Sequence, residues 1–134
     1  MPRVSAVSLR DRKKAGEKIA VLTAYDFPTA KLIDQSGVDV VLVGDSLGMV
    51  VMGRENTLSV TMDEMVYHTR IVSSAVEHAL VVGDMPFLSY QISPQEAVRN
   101  AGRLIAEGGA QAVKLEGPAQ RFGNTIQAIL DASI

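Results

Sequence analysis

A repeat constrains this chain more than any other feature. Four short apolar runs occur in order: "IAVLTAY" (19–25), "VDVVLVGD" (38–45), "ALVVGD" (79–84) and "AVKLEG" (112–117). Each is continuous and rich in Val, Leu or Ala, the composition of a strand covered by helices. Each is followed by a stretch with helix-start chemistry. Asp26 and Pro28 open "FPTAKLIDQSG", which stops at Gly37, a natural residue just past a helix end. "TMDE" (61–64) is a capping box, with Thr61 as N-cap and Glu64 reaching back. Behind it Met62, Met65, Val66, Thr69, Val72, Ser73 and Val76 form one helical stripe. "SPQE" (93–96) is a second capping box with Pro94 in the first turn; its helix carries Ala97, Ala101, Leu104 and Ile105 and stops near Gly108 and Gly109. Residues 120–132 read as another helix and residues 5–16 as a short polar lead-in helix. Strand–helix alternation means a parallel sheet, either doubly wound or a barrel. A closed (β/α)8 barrel takes about 250 residues and eight units. These 134 residues hold four units in one expected domain, 1–134, with no linker or break in composition.

The second, third and fourth runs each end on an acid: Asp45, Asp84 and Glu116. In parallel α/β folds ligands sit at the carboxyl ends of the strands, where all three fall. One acid after one strand is more often a helix cap or a turn acceptor. Three on successive strands, with Lys114 beside the third, favour a site. Side chains alternate along a strand, so Lys114 and Glu116 share a face while Val113 and Leu115 point toward covering helices. A lysine and a glutamate on a buried face are costly unless paired or liganded. Carboxylates gathered together raise one another's pKa unless a cation joins them. A hard divalent ion such as Mg2+ suits one or two carboxylates plus substrate oxygens and water.

Other residues carry weaker signals. Ser46 is a turn residue or a ligand contact, on equal grounds. Gly44, Gly48 and Gly83 read as tight backbone positions, and "GDSLG" matches neither a P-loop nor a dinucleotide fingerprint. His68 reads as structural, His78 as a cation placed at a helix C-terminus, and the six methionines as core filler. The segment "SLGMVVMGRENTLSV" (46–60) is long for a strand-to-helix loop and leaves from the ligand end, so it is expected to act as a lid or to pack on another subunit.

Composition narrows the function. Thirteen basic against fifteen acidic residues, net charge −2, provide no electrostatic reason to expect nucleic acid or an anionic membrane. With no cysteine, disulfides and thiolate metal sites are excluded. No apolar run reaches the ~18 residues of a membrane span, and the basic start lacks an apolar signal core. A soluble cytoplasmic protein is the expectation.

"LTAYD", "VLVGDSLGMVVMG", "TMDEMVYHT", "GDMPFLSYQ" and "AVKLEG" together resemble the ketopantoate (3-methyl-2-oxobutanoate) hydroxymethyltransferases, from about residue 4 to the end. Departures are small: "GREN" in the long loop, Ser59 where the family often has proline, and Gly83 where it often has alanine. The resemblance implies a TIM-type (β/α)8 barrel of the phosphoenolpyruvate/pyruvate kind, of which four βα units are present. It implies an oligomeric, Mg2+-dependent enzyme of pantothenate biosynthesis. Such an enzyme transfers a hydroxymethyl group from 5,10-methylenetetrahydrofolate to a 2-oxo acid. It places Asp45, Asp84 and Glu116 at the metal, the first two as ligands and Glu116 beside it. It places Asp45, Ser46, Asp84 and Lys114 against substrate, with Tyr25 near the site.

Family members are about twice this length. The resemblance therefore implies a general base beyond Ile134 and no proton-abstracting residue within these 134. A half barrel of this kind is expected to turn over little alone, and to pair with a complementing carboxyl-terminal half or self-associate. Two alternatives stay open: a Mg2+-dependent 2-oxo-acid C–C lyase of the same superfamily, and a non-catalytic half-barrel assembly or binding module.

Overall fold

A computed structural model describes residues 2–134 and shows four parallel strands in the order β1-β2-β3-β4. The elements are α1 (Ala6–Lys14), β1 (Val21–Thr23), α2 (Phe27–Gln35), β2 (Val40–Val43), α3 (Leu47–Val50), α4 (Met62–Ala75), β3 (Leu80–Asp84), α5 (Pro94–Ala106), β4 (Ala112–Lys114) and α6 (Ala119–Asp131). The expected repeat is present, as an α/β half-barrel. The strands are shorter than the apolar runs: β1 and β2 are trimmed at both ends, β3 lacks only Ala79, and β4 stops before Leu115. One added element, α3, occupies the start of the long loop after β2.

The helices begin where their capping chemistry lies. The Thr61 hydroxyl accepts from the Glu64 amide while Glu64 accepts from the Thr61 amide, the reciprocal arrangement expected of a capping box. Ser93 and Asp26 cap α5 and α2 one way only, accepting from the Glu96 and Thr29 amides with no bond returned, so the second expected capping box is half-formed; each helix has proline in its first turn. Past α2, Gly37 takes φ +83°, a conformation that glycine adopts without a Cβ clash.

The core lies between the sheet and its helices. Val41, Val43, Val81, Met65, Val72, Ala97, Ala101 and Leu104 have no exposed surface. Burying a side chain the size of leucine stabilises by about 1.5–3 kcal/mol. The helix-side face of β3 approaches α5 so closely that a Cβ on Gly83 would lie 3.3 Å from both Leu104 methyls. Of the methionines, Met65 and Met85 are core, whereas Met49 on α3 is exposed.

Aspartates lock the amino end of the sheet. Asp39 takes the guanidinium of Arg12 from α1 and the amide of Ala20. Asp34 on α2 accepts from the amides of Glu77, His78 and Ala79, just ahead of β3, and from His78 Nδ1 at 3.2 Å. His78 therefore serves α2 through Asp34, beyond the end of α4, rather than acting as a cation on its own helix terminus. By contrast the sheet edge is bare: Val21 and Leu22 of β1 are 52% and 49% exposed.

Candidate active site at the carboxyl ends of the strands

Asp84 ends β3 and stands in register with Lys114 of β4. Register neighbours in a parallel pair project to the same face, and here they close an ion pair, Lys114 Nζ donating to Asp84 Oδ1 at 2.8 Å. The other Asp84 oxygen accepts from the Asp45 amide at 3.2 Å. Asp84 is 5% exposed, so one buried carboxylate ties together the ends of β2, β3 and β4.

Asp45 has the opposite situation. Burial pushes its carboxyl above the usual carboxylate range, and the neighbouring Asp84 adds to the rise against the opposing pull of Lys114. For Lys114, burial acts to lower the pKa, but the bond to Asp84 and the charges of Asp84, Glu116 and Asp45 outweigh it and hold the amine as ammonium. The site thus holds one cation among three acids.

A cavity of about 260 Å³ opens over this region, lined by Asp45 and Glu116 with Thr57, Leu58, Met85, Phe87, Tyr90 and Gln91. Asp45 and Glu116 belong to its wall, while Asp84 and Lys114 form the ion pair next to it. Glu116 is held by its backbone: the Tyr90 hydroxyl donates to its carbonyl at 2.9 Å and accepts from its amide at 3.2 Å. The Tyr90 ring in turn meets Phe122 edge-on at 5.3 Å. Ser46 and Tyr25, expected against the substrate and near the site respectively, hydrogen-bond each other through their hydroxyls at 2.8 Å.

Asp45, Asp84 and Lys114 are therefore together, as the strand-end argument required. The three acids are not one cage. Among the described residues, no cluster of three or more His, Asp or Glu side chains is arranged to hold a metal ion. What the fold offers a cation is the Asp45–Asp84 pair, with Glu116 across the cavity. That pair suits a hard divalent ion: two carboxylates leave room for water and substrate oxygens, and a bound cation would offset the burial and the Asp84 charge that raise Asp45.

The expected lid is stapled down. Arg54 grips Glu64 with two nitrogens and also donates to the Ser59 carbonyl. The Arg54 guanidinium holds the Glu64 carboxyl down to about 2. A Cβ on Gly48 would come within 2.6 Å of Val60, so the loop's two arms touch. Thr57 and Leu58 reach the cavity from this fixed loop. Sequence reading missed Tyr90, the Arg54–Glu64 staple and the contact of His68 with the Tyr25 carbonyl. An aromatic inside the quoted "GDMPFLSYQ" was the one available hint of Tyr90.

By fold, the half-barrel matches one half of several solved α/β-barrel structures. It superposes on phosphoenolpyruvate phosphomutase from Streptomyces platensis subsp. rosaceus with a TM-score of 0.74 at 20% identity, over 96% of this chain and 49% of that one. It superposes on 2,3-dimethylmalate lyase with a TM-score of 0.71 at 19% identity, over 96% and 48%. A phosphonopyruvate hydrolase solved with oxalate and Mg2+ matches with a TM-score of 0.73 at 16% identity, over 92% and 46%. Sequence narrows this further. The family model described as ketopantoate hydroxymethyltransferase matches residues 3–134, and the chain belongs to that family. Proteins named 3-methyl-2-oxobutanoate hydroxymethyltransferase are 58% identical in Syntrophomonas wolfei, over all of this chain and 48% of that protein. In Clostridium novyi the identity is 59%, over 97% and 47%. The chain spans about half the length of these relatives.

Proposed function

We propose that this chain supplies the cation-holding and substrate-gripping part of a hydroxymethyltransferase that acts on 3-methyl-2-oxobutanoate, with 5,10-methylenetetrahydrofolate as the one-carbon donor. The supporting observation is the Asp45–Asp84–Lys114 constellation at the carboxyl ends of three adjacent strands. Asp45 and Asp84 would hold a Mg2+ ion. Such an ion, when bound, supplies a Lewis acid for the negative charge that develops as a 2-oxo acid becomes its enolate.

The residues then have distinct tasks. Asp84 spans its neighbours, so the spacing of Asp45 and Lys114 is set before substrate arrives. Lys114, kept as ammonium and partly exposed, faces the substrate carboxylate or the developing oxyanion, a charge-assisted contact that strengthens as charge accumulates. Ser46 presents a hydroxyl next to Asp45. The apolar side chains of Leu58, Met85 and Phe87 exclude water on the cavity wall and suit the branched alkyl end of the substrate. The task of this chain is binding and charge stabilisation, and proton abstraction from the carbon beside the carbonyl is assigned to none of its residues.

Calorimetric titration with 3-methyl-2-oxobutanoate, in Mg2+ and again in chelator, tests the reading. Binding is expected with Mg2+ and not with chelator. Equal affinity in both, or affinity unchanged in Asp84→Ala, would overturn it.

A further inference from the structure

Ser46 occupies the N-cap position of α3, where a serine ordinarily accepts a backbone amide. Its side chain makes no such bond. The hydroxyl meets the Tyr25 phenol at 2.8 Å instead. The space it uses exists because residue 44 is glycine, where a Cβ would come within 2.8 Å of the Ser46 oxygen. Tyr25 itself lies just past the end of an edge strand. The last β1–β2 bond at this end runs from the Ala24 amide to the Leu42 carbonyl, and at Asp26 the chain turns into α2. The Tyr25 carbonyl is met from another layer by His68 of α4, whose Nδ1 is 2.8 Å away. A carbonyl oxygen accepts and does not donate, so Nδ1 carries the proton. The half-buried imidazole is steadied by Tyr67, whose ring meets it edge-on at 5.4 Å.

We infer that His68 is a positioning residue for the substrate end of the sheet: it holds the Tyr25 backbone, which aims the phenol that orients the Ser46 hydroxyl. The inference rests on the proposed 2-oxo-acid site, since its effect on binding passes through Ser46. It gives His68, which reads as merely structural in sequence, a defined task at a distance from the ligand. Chemically, a hydroxyl already bonded to a phenol has fewer orientations open to it, so it meets a substrate oxygen with less rotational freedom to lose.

The experiment has two readouts on the same proteins: wild type, His68→Leu, His68→Asn, Ser46→Ala and the His68→Leu/Ser46→Ala double variant. The asparagine amide places an N–H donor where Nδ1–H was; leucine has none. In titrations with 3-methyl-2-oxobutanoate at saturating Mg2+, Ser46→Ala and His68→Leu are each expected to weaken binding about tenfold, the scale of one polar contact. His68→Asn should recover most of that loss, and the double variant should be no weaker than Ser46→Ala alone. Losses that multiply in the double variant, or His68→Leu binding like wild type, would overturn the inference. The second readout needs no ligand. With 3-fluorotyrosine incorporated, the 19F signal of Tyr25, identified by its absence in Tyr25→Phe, should shift in His68→Leu in the same direction as in Ser46→Ala, and return in His68→Asn. An unmoved signal in His68→Leu refutes the link. If wild type fails to bind the 2-oxo acid while the fluorine signals respond as expected, the proposed site falls and the His68–Tyr25–Ser46 link stands.

Discussion

The same residue type does opposite things at the two ends of this sheet. At the amino end Asp34 and Asp39 are saturated with donors: three amides and an imidazole for Asp34, a guanidinium and an amide for Asp39. For Asp34, burial acts to raise the pKa, yet the bonds from the Ala79 and Glu77 amides and from His78 bring it below the usual carboxylate range. For Asp39 the Arg12 guanidinium does so. At the carboxyl end Asp45 is half-buried beside another acid and is pushed up. Burial is common to both ends, and the supply of donors differs. A carboxylate met by enough donors stabilises the fold, whereas one short of them holds charge ready for something that arrives.

The largest expected effect breaks the carboxyl end. Asp84→Ala removes the oxygen that pairs with Lys114 and half of the cation pair, and affinity for 3-methyl-2-oxobutanoate in Mg2+ should fall by about 100-fold or more, as measured by calorimetry. The matching change at the amino end should spare binding and cost stability. Asp34→Ala removes the acceptor of three amides, of which that of Ala79 is buried, a loss of about 2–3 kcal/mol. Its melting temperature should drop by roughly 8–12 °C, with affinity at 15 °C within about twofold of wild type. A variant that keeps its melting temperature would show that Asp34 is not the lock described.

The pH dependence of stability separates the donor-rich carboxylates from Asp45. Groups whose folded pKa is lowered contribute stability that is complete above their unfolded values, near pH 4, and lost as pH falls toward the folded ones. Asp34, Asp39 and Glu64, the last held at about 2, are of this kind. Melting temperature should therefore fall steeply between roughly pH 4 and pH 2, with a shallower fall in Asp34→Ala, while ionisation of Asp45 costs a smaller amount as pH rises above about 4. The smallest effect has the opposite sign. Asp45→Asn removes a charge the metal-free fold disfavours, so without Mg2+ it should melt about 1–3 °C higher than wild type. Added Mg2+ should stabilise wild type and leave this variant unmoved. A lower melting temperature would mean that Asp45 is not strained by its neighbour.

Much of this was legible in the sequence. Alternating apolar runs and capping boxes give four βα units, and strand-end acids give the place of the site, because both depend on local periodicity. What escaped depends on packing. The role of Asp34 has no local sequence signal, since its partners lie 43 to 45 positions later and meet it only when α2 lies against the start of β3. His68 meets Tyr25 across 43 positions for the same kind of reason. Lys114 and Glu116 were expected to need a partner or a ligand; which partner Lys114 takes, Asp84, is set by inter-strand register. The long loop reads as a lid because length is visible, whereas the Arg54 clasp that restrains it is not.

Gly83 has a practical consequence for anyone recombining relatives. Residues 83 and 104 share one small volume between β3 and α5, with 3.3 Å left for any added methyl. Grafting a homologous strand that brings alanine at 83, while keeping this helix, would require the two leucine methyls to give way by a few tenths of an ångström. The two positions are best exchanged as a unit, so chimera boundaries belong outside the segment from β3 through α5.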